Sequence, residues 1–254
     1  SVEFSNEGEK NIAVKNSSIE IKKGELVAIV GESGSGKSVT ALSLLQLLPK
    51  QTIVKGKVYF YQKEKQPVDL LNLTDAAINK IRGKNIAMIF QEPMTSLNPV
   101  FTCGQQVMEA IQLHQNINTK AAKEKTVALF EKVKLPDPAA IINRYPHQLS
   151  GGQKQRISIA RALIKEPQIM IFDDSLSAVD TKTENQIINN LYTVLDHKTA
   201  ILITHRIFTV FNFDQVVIID DGEIIEQGTH SELLALKGYY AELYQLQTSQ
   251  DTTA

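Results

Sequence analysis

An α/β core built on a largely parallel sheet, with a helical lobe inserted into it, is the fold this sequence predicts. Three observations carry that expectation. Short Ile- and Val-rich runs recur at strand length, helical periodicities lie between several of them, and from about Glu92 to Pro146 the alternation stops. The runs are Leu26–Val30, Lys57–Tyr61, Ile86–Phe90, Ile169–Phe172, Ala200–Thr204 and Val216–Ile219. Each is too short for a helix, and an apolar run bounded by turn residues reads as a buried strand. Ser38–Leu48 carries Val39, Leu42 and Leu45 at helical spacing, with Pro49 as the expected stop. Ile157, Ala160, Leu163 and Ile164 repeat in the same way, and Pro167 closes that segment. Strands that alternate with helices favour parallel pairing.

Inside the interrupting stretch, Gln105–Gln112 and Lys120–Lys134 are amphipathic and nothing reads as strand, so a helical lobe is expected there. Val217–Asp220 and Glu223–Glu226 flank Asp221-Gly222, a hairpin signature, and Ser231–Gln247 forms a helix-rich tail. No internal repeat or low-complexity segment is present.

A length of 254 residues suits one large domain, or one domain with an inserted lobe. Lys and Arg total 27 against 28 Asp and Glu, so no global field favours nucleic acid. Locally, Lys120, Lys123, Lys125, Lys132 and Lys134 are interspersed with Glu124 and Glu131, which makes a solvated helix face rather than a basic stripe. The single cysteine, Cys103, excludes an internal disulfide and a multi-cysteine metal cluster, and it reads as a packing residue because no His partner is evident. His114, His147, His197 and His230 stand in polar surroundings and are not expected to do chemistry. No apolar run approaches the roughly 18–20 residues that cross a bilayer. The opening Ser1-Val2-Glu3-Phe4 has no basic leader before an apolar stretch, so a chain soluble by itself is expected, and the missing Met fits a trimmed or excised domain.

Chemistry concentrates at three places. Gly31-Glu32-Ser33-Gly34-Ser35-Gly36-Lys37-Ser38 follows the strand Leu26–Val30 and opens a helix, the setting that a phosphate-binding loop requires. Its glycines let backbone N–H groups wrap a phosphate chain, and the helix N-terminus that continues through Val39 adds its dipole. Lys37 is expected to reach the β- and γ-phosphates, and Ser38 to place its hydroxyl on Mg²⁺. Ile169-Met170-Ile171-Phe172-Asp173 is an apolar strand ending in a carboxylate, and Asp173 is the expected Mg²⁺ partner through water. Leu149-Ser150-Gly151-Gly152-Gln153 offers a second anion site, with Ser150 as N-cap of a helix from Gln153 to Lys165. One γ-phosphate does not need two glycine-rich helix ends from a single subunit. The simplest arrangement is two chains, each completing the other's site.

With these motifs quoted, the chain resembles the ATP-binding subunits of ABC transporters over nearly its whole length. Gln91 ends a strand as the Q-loop glutamine does, Ser177-Ala178-Val179-Asp180 looks like the D-loop, and His205 in Ile203-Thr204-His205 looks like the switch histidine. The resemblance implies a P-loop NTPase of RecA-like core (1–91 and 157–230), a helical subdomain carrying the signature (92–156) and a helical tail (231–254). It also implies ATP and Mg²⁺ as cofactors, with Ser38, Gln91 and Asp173 around the metal. Nucleotide contacts would come from Gly31 through Val39, and from Ser150, Gly151, Gly152 and Gln153 of the opposite chain. Lys37, Gln91, Asp174 and His205 are the implied catalytic group. The implied partners are a second nucleotide-binding domain, in a homodimer or heterodimer, and transmembrane permease domains. That places the chain in the cytoplasm, on the inner face of the membrane, with no nucleic-acid partner.

The halves resemble different branches. Ile81–Gln115, with Gln91-Glu92-Pro93-Met94-Thr95-Ser96-Leu97-Asn98-Pro99, looks like the ATPase of oligopeptide and dipeptide importers. From Phe172-Asp173-Asp174-Ser175-Leu176 to Tyr239–Gln247, the chain looks like a multidrug-exporter domain, which suggests a hybrid joined near Leu149–Leu163. Position 174 holds Asp where most active members of the family have the Glu that polarises the attacking water. Its carboxylate retracts by about 1.5 Å, one C–C bond. A misplacement of about 1 Å can cost roughly 10²-fold in rate, so tight ATP binding with slow hydrolysis is expected. Family spacing puts the adenine-stacking aromatic near Asn6, whereas Phe4, two residues away, reads as a core strand residue. Two other classes compete with a transport motor. A soluble ATPase acting on DNA or ribosomes would carry coiled-coil insertions or fused ATPase domains, and a non-hydrolysing assembly module is favoured by Asp174.

Overall fold

The computed structural model describes residues 1–6, 9–62, 66–91, 97–175, 191, 194–195, 198–207 and 212–251. Two compact units organise the chain, Ser1–Arg82 with Ile201–Ala254, and Gly83–Ala200. The elements run in order β1 Val2–Asn6, β2 Glu9–Val14, β3 Leu26–Val30, α1 Lys37–Leu44, β4 Ile53–Val54, β5 Tyr59–Phe60, β6 Val68–Asp69 and α2 Asp75–Ile81. The second unit holds β7 Ile86–Ile89, α3 Cys103–Gln115, α4 Thr119–Lys132, α5 Pro138–Ile141, α6 Gly151–Leu163 and β8 Ile169–Asp173. Then β9 Thr199–Thr204 returns the chain to the first unit, followed by β10 Gln215–Asp220, β11 Glu223–Gly228, α7 His230–Leu236 and α8 Tyr239–Asp251.

Parallel pairing follows the apolar runs, as expected. In the first unit the strand order is β11-β10-β3-β9, with β10 parallel to β3 in the register Gln215↔Val27 to Ile218↔Val30. All of β3 and β9 is buried, which explains their unbroken apolar sequence. In the second unit β7 and β8 are parallel, Ile86↔Ile169 to Ile89↔Phe172. The hairpin at Asp221-Gly222 forms with β10 antiparallel to β11.

Other expectations are corrected. Lys57–Tyr61 does not join a parallel sheet: only Tyr59–Phe60 is strand, paired antiparallel with β6. The Asp69 carboxylate accepts from the Val58 N–H at 3.0 Å, so side-chain capping takes over where the ladder ends. A separate antiparallel sheet, β2-β1-β4, was not read from the sequence. Its charged residues, such as Glu3 and Lys10, obscure the strand pattern.

Helix α1 ends at Leu44, well before Pro49, because tertiary polar partners take its last carbonyls. Gln46 is left-handed at φ 52°. The Arg82 guanidinium donates to the Leu45 carbonyl at 2.6 and 2.9 Å and to that of Gln46 at 2.8 Å, a cation closing a helix C-terminus. Helix α6 likewise stops at Leu163 rather than Lys165.

The lobe helices are longer at their starts than periodicity alone suggests, because capping residues define them. Thr102 and Gln105 form a capping box on α3, and Asn118 caps α4. Their buried faces, Val107 and Ile111 on α3 with Ala122 and Phe130 on α4, form the lobe core. Cys103 is fully buried, and burial pushes its thiol up to about 11. Desolvation therefore outweighs the opposing charge of Lys154, and the thiol is inert packing.

The tail is two helices, with Tyr240 buried against Ala28, Val30, Val216, Ile218 and Leu233. His230 is a packing residue, its Nδ1 2.6 Å from the Tyr240 hydroxyl. His114 and His147 are exposed, and His197 lies outside the described residues.

The N-terminus of α3 is seated against the chain after α5. The N–H groups of Cys103 and Gly104 donate to the carbonyls of Arg144 and Ile142 at 2.8 and 3.0 Å. A Cβ at Gly104 would lie 2.2 Å from Ile142 Cγ1 and 2.4 Å from its carbonyl oxygen. Gly104→Ala is therefore expected to destabilise the lobe by about 1–3 kcal/mol, the scale of overpacking. Urea denaturation checks this, and an unchanged midpoint would contradict the close approach.

Candidate functional site

The phosphate-binding loop is built from the end of β3 into α1, and its shape is fixed by backbone approach. A Cβ at Gly31 would stand 2.1 Å from the Ile219 carbonyl oxygen and 2.8 Å from Ser35 Oγ. Gly34 and Gly36 have φ of 86° and 98°, the left-handed region that favours glycine. Gly36 serves as N-cap of α1, where a Cβ would meet the Ala13 carbonyl oxygen at 2.4 Å. Further along, Gly222 N–H donates to the Ser35 carbonyl at 3.0 Å, so the β10–β11 turn supports the loop from behind. Sequence reading recognised Asp221-Gly222 as a turn but not as this support.

Glu32, Ser33 and Gly34 are exposed at the loop crest, whereas Gly31, Ser35, Gly36 and Lys37 are buried and Ser38 and Val39 half-buried. The Lys37 ammonium folds over the loop and donates to the carbonyls of Gly31 at 2.9 Å and Glu32 at 2.5 Å, with Ser35 Oγ at 3.4 Å. These carbonyls satisfy an ammonium whose residue is buried in the loop. Glu32 is also reached from the tail, where the Tyr239 hydroxyl donates to its Oε1 at 3.4 Å. The Tyr239 phenol is raised, first by burial and then by the charge of Glu32.

In the second unit, Asp173 ends β8 and is buried, while Asp174 turns to φ 41° and is half-buried. The Gln91 amide, exposed just beyond β7, donates to Asp174 Oδ2 at 3.4 Å, so the structure brings these two predicted residues together. Sequence reading missed Gln155. Buried in α6, it donates from Nε2 to the Ser175 carbonyl and ties the signature helix to the turn after Asp174.

Ser150 is the N-cap of α6, as the sequence indicates. Its Oγ accepts from the Gln153 N–H at 3.3 Å, and its own N–H donates to Gln153 Oε1 at 3.1 Å, a complete capping box. The first N–H groups of a helix lack intrahelical partners, so Gly151 and Gly152 stand at the positive end of α6.

His205 follows β9 in the first unit and is exposed. Ser177-Ala178-Val179-Asp180, expected as the D-loop, and the segment Glu92–Ser96 lie outside the described residues.

Residues 14–177 match the family model described as ABC transporter. The glutathione import ATP-binding protein GsiA of Salmonella choleraesuis is 42% identical over 238 residues, covering 91% of this chain and 38% of that protein. Its counterpart in Escherichia coli K12 is 40% identical over the same coverage. The chain thus spans 38% of the length of these curated relatives. Among solved structures, the dimeric structure of MJ0796, a bacterial ABC transporter cassette, is similar with a TM-score of 0.77 at 29% identity, covering 89% of this chain and 94% of that one. A bacterial Atm1-family ABC exporter with ATP bound is similar with a TM-score of 0.71 at 28% identity, covering 97% of this chain and 40% of that one. Importer and exporter likeness each extend along nearly the whole chain.

The loop geometry separates two glycines by mechanism. Gly36→Ala meets a carbonyl oxygen as well as left-handed strain and is expected to cost about 2–3 kcal/mol. Gly34→Ala has no atom within 4 Å of its Cβ. Strain alone is then expected to cost about 1 kcal/mol. Thermal denaturation of the two variants side by side checks the order, and equal losses would contradict it.

Proposed function

The chain belongs to the ABC transporter family, and from that premise we propose that it is the ATP-binding and ATP-hydrolysing motor domain of a transporter for a peptide or drug-like solute. The observation that carries this reading is the loop Gly31–Ser38, held open by close backbone approach with the Lys37 ammonium folded over it. In this reading residues 1–91 and 157–230 form the nucleotide-binding core, 92–156 the signature lobe and 231–254 the tail.

Lys37 and the N–H groups of Gly31 through Val39 take the phosphates, and charge neutralisation with positioning does most of the catalysis. Mg²⁺ would be held by the Ser38 hydroxyl, the Asp173 carboxylate and the Gln91 amide oxygen, hard oxygens of the kind it takes. When bound, it neutralises charge on the phosphate oxygens. Asp174 orients the attacking water, Gln91 steadies Asp174 through its amide, and His205 contacts the γ-phosphate. Ser150, Gly151, Gly152 and Gln153 act on the nucleotide of a second copy or a homologue, in a head-to-tail pair. The dimeric MJ0796 structures, one of them bound to ADP and Pi, support such a pairing. The import function in the relatives' names and the Atm1-family exporter support a permease partner. Among the described residues no helix is long and apolar enough to cross a membrane. With a permease partner, the proposed location is the cytoplasmic face of the membrane, held through that partner, without nucleic acid.

Steady-state phosphate release by the purified chain with Mg-ATP tests the reading. Asp174→Glu is expected to raise turnover by about 10- to 100-fold, because the longer side chain restores the carboxylate's reach. Glu tolerates the left-handed backbone at position 174 less well than Asp, so a stability loss of about 1 kcal/mol should accompany the gain. A rate that is unchanged or lower would remove the positional argument. The short Asp174 side chain also favours a second reading, a non-hydrolysing assembly module, which ATP-dependent dimerisation without phosphate release would select. Lys37→Ala is expected to abolish that dimerisation, and light scattering with and without ATP measures it.

A further inference from the structure

We propose that Gln247 is a positioning residue for the switch loop, so that the C-terminal helix holds the backbone that carries His205. The inference rests on the role given to His205 above and adds a residue and an element to it. In α8, Gln247 spans the turn after β9: its Oε1 accepts from the Ile207 N–H at 2.8 Å, and its Nε2 donates to the His205 carbonyl at 3.4 Å. On the strand side of the same turn, the Arg206 N–H donates to Thr204 Oγ1 at 3.0 Å. The main chain bearing the imidazole is thus tied to β9 by a buried threonine and to the tail by one glutamine.

The helix that supplies Gln247 is itself firmly placed. The Glu226 carboxylate caps its start, accepting from the N–H groups of Tyr239 and Tyr240 at 2.6 and 3.0 Å. Tyr240 is buried against Ala28 and Val30 of β3, the strand that leads into the phosphate loop. Tyr239 reaches Glu32 in that loop. One helix therefore touches the phosphate loop at its first turn and the switch loop two turns further on. A glutamine has the geometry for this task, because one planar amide offers an acceptor and a donor side by side. Ordering its long side chain costs rotamer entropy, which two bonds to one short backbone segment offset.

Removing the clamp should disturb where the imidazole sits and leave nucleotide binding intact. In Gln247→Leu, kcat for ATP hydrolysis is expected to fall by about 10-fold or more, the scale of a sub-ångström to ångström misplacement, while KM and the melting temperature change little. Gln247→Glu keeps the acceptor for the Ile207 N–H and loses the donor, so it should restore part of kcat. Leu246→Ala serves as a control, since that neighbouring side chain is 62% exposed and outside the clamp. Hydrogen exchange at the Ile207 amide gives a readout independent of turnover, and it should accelerate in Gln247→Leu.

Wild-type turnover with an unaltered rate in Gln247→Leu would overturn this role alone, as would unchanged exchange at Ile207. A fall in kcat shared by Leu246→Ala would overturn it by assigning the effect to general tail packing. No phosphate release from the wild type would overturn the functional reading and this role with it.

Discussion

Around the phosphate loop the backbone comes closer to itself than any side chain allows, and the rest of the first unit is arranged about that constraint. Gly31 lies against the carbonyl of Ile219 at the end of β10, and Gly36 and Gly222 both lie against the carbonyl of Ala13 in β2. Two strands far apart in the sequence, β2 and β10, therefore close on one short loop. Their close approach, rather than the flexibility of a Gly/Ser turn, fixes the course of the loop backbone. The Lys37 ammonium then completes the cradle by bonding to the loop's own carbonyls.

The second unit solves a related problem by side-chain capping. Ser150 and Gln153 satisfy each other reciprocally, which fixes the start of α6, with Gly151 half-buried and Gly152 buried in its first turn. At the end of β8 the chain turns sharply at Asp174, and the Gln91 amide meets its carboxylate. The two proposed anion sites are chemically different: one is a glycine-rich loop with a lysine, the other a capped helix end. Neither needs the strong net charge that the composition lacks.

Much of this was legible in the sequence because buried parallel strands and glycine-rich loops write themselves plainly. Leu26–Val30 is strand to the residue, and Ser150 is the cap it promised to be. What stayed hidden shares one physical character: it depends on partners far along the chain. The end of α1 is set by Arg82, not by Pro49, because a guanidinium competes for the helix's last carbonyls. The β2-β1-β4 sheet escaped notice because charged residues on its strands dilute the alternation. Gln155 and Gln247 look like surface glutamines in a helical pattern, yet each reaches the backbone of a turn that carries a predicted site residue.

The burial of Cys103 gives the lobe an internal reporter. It is the chain's only cysteine, and it sits at the first residue of α3 with no solvent exposure. A thiol reagent reaches it when the start of that helix detaches from Ile142 and Arg144 or the protein unfolds, so labelling kinetics at fixed pH in the native protein report on the lobe's opening. The same clock, read with and without nucleotide, would tell whether ligand binding stiffens the lobe or loosens it.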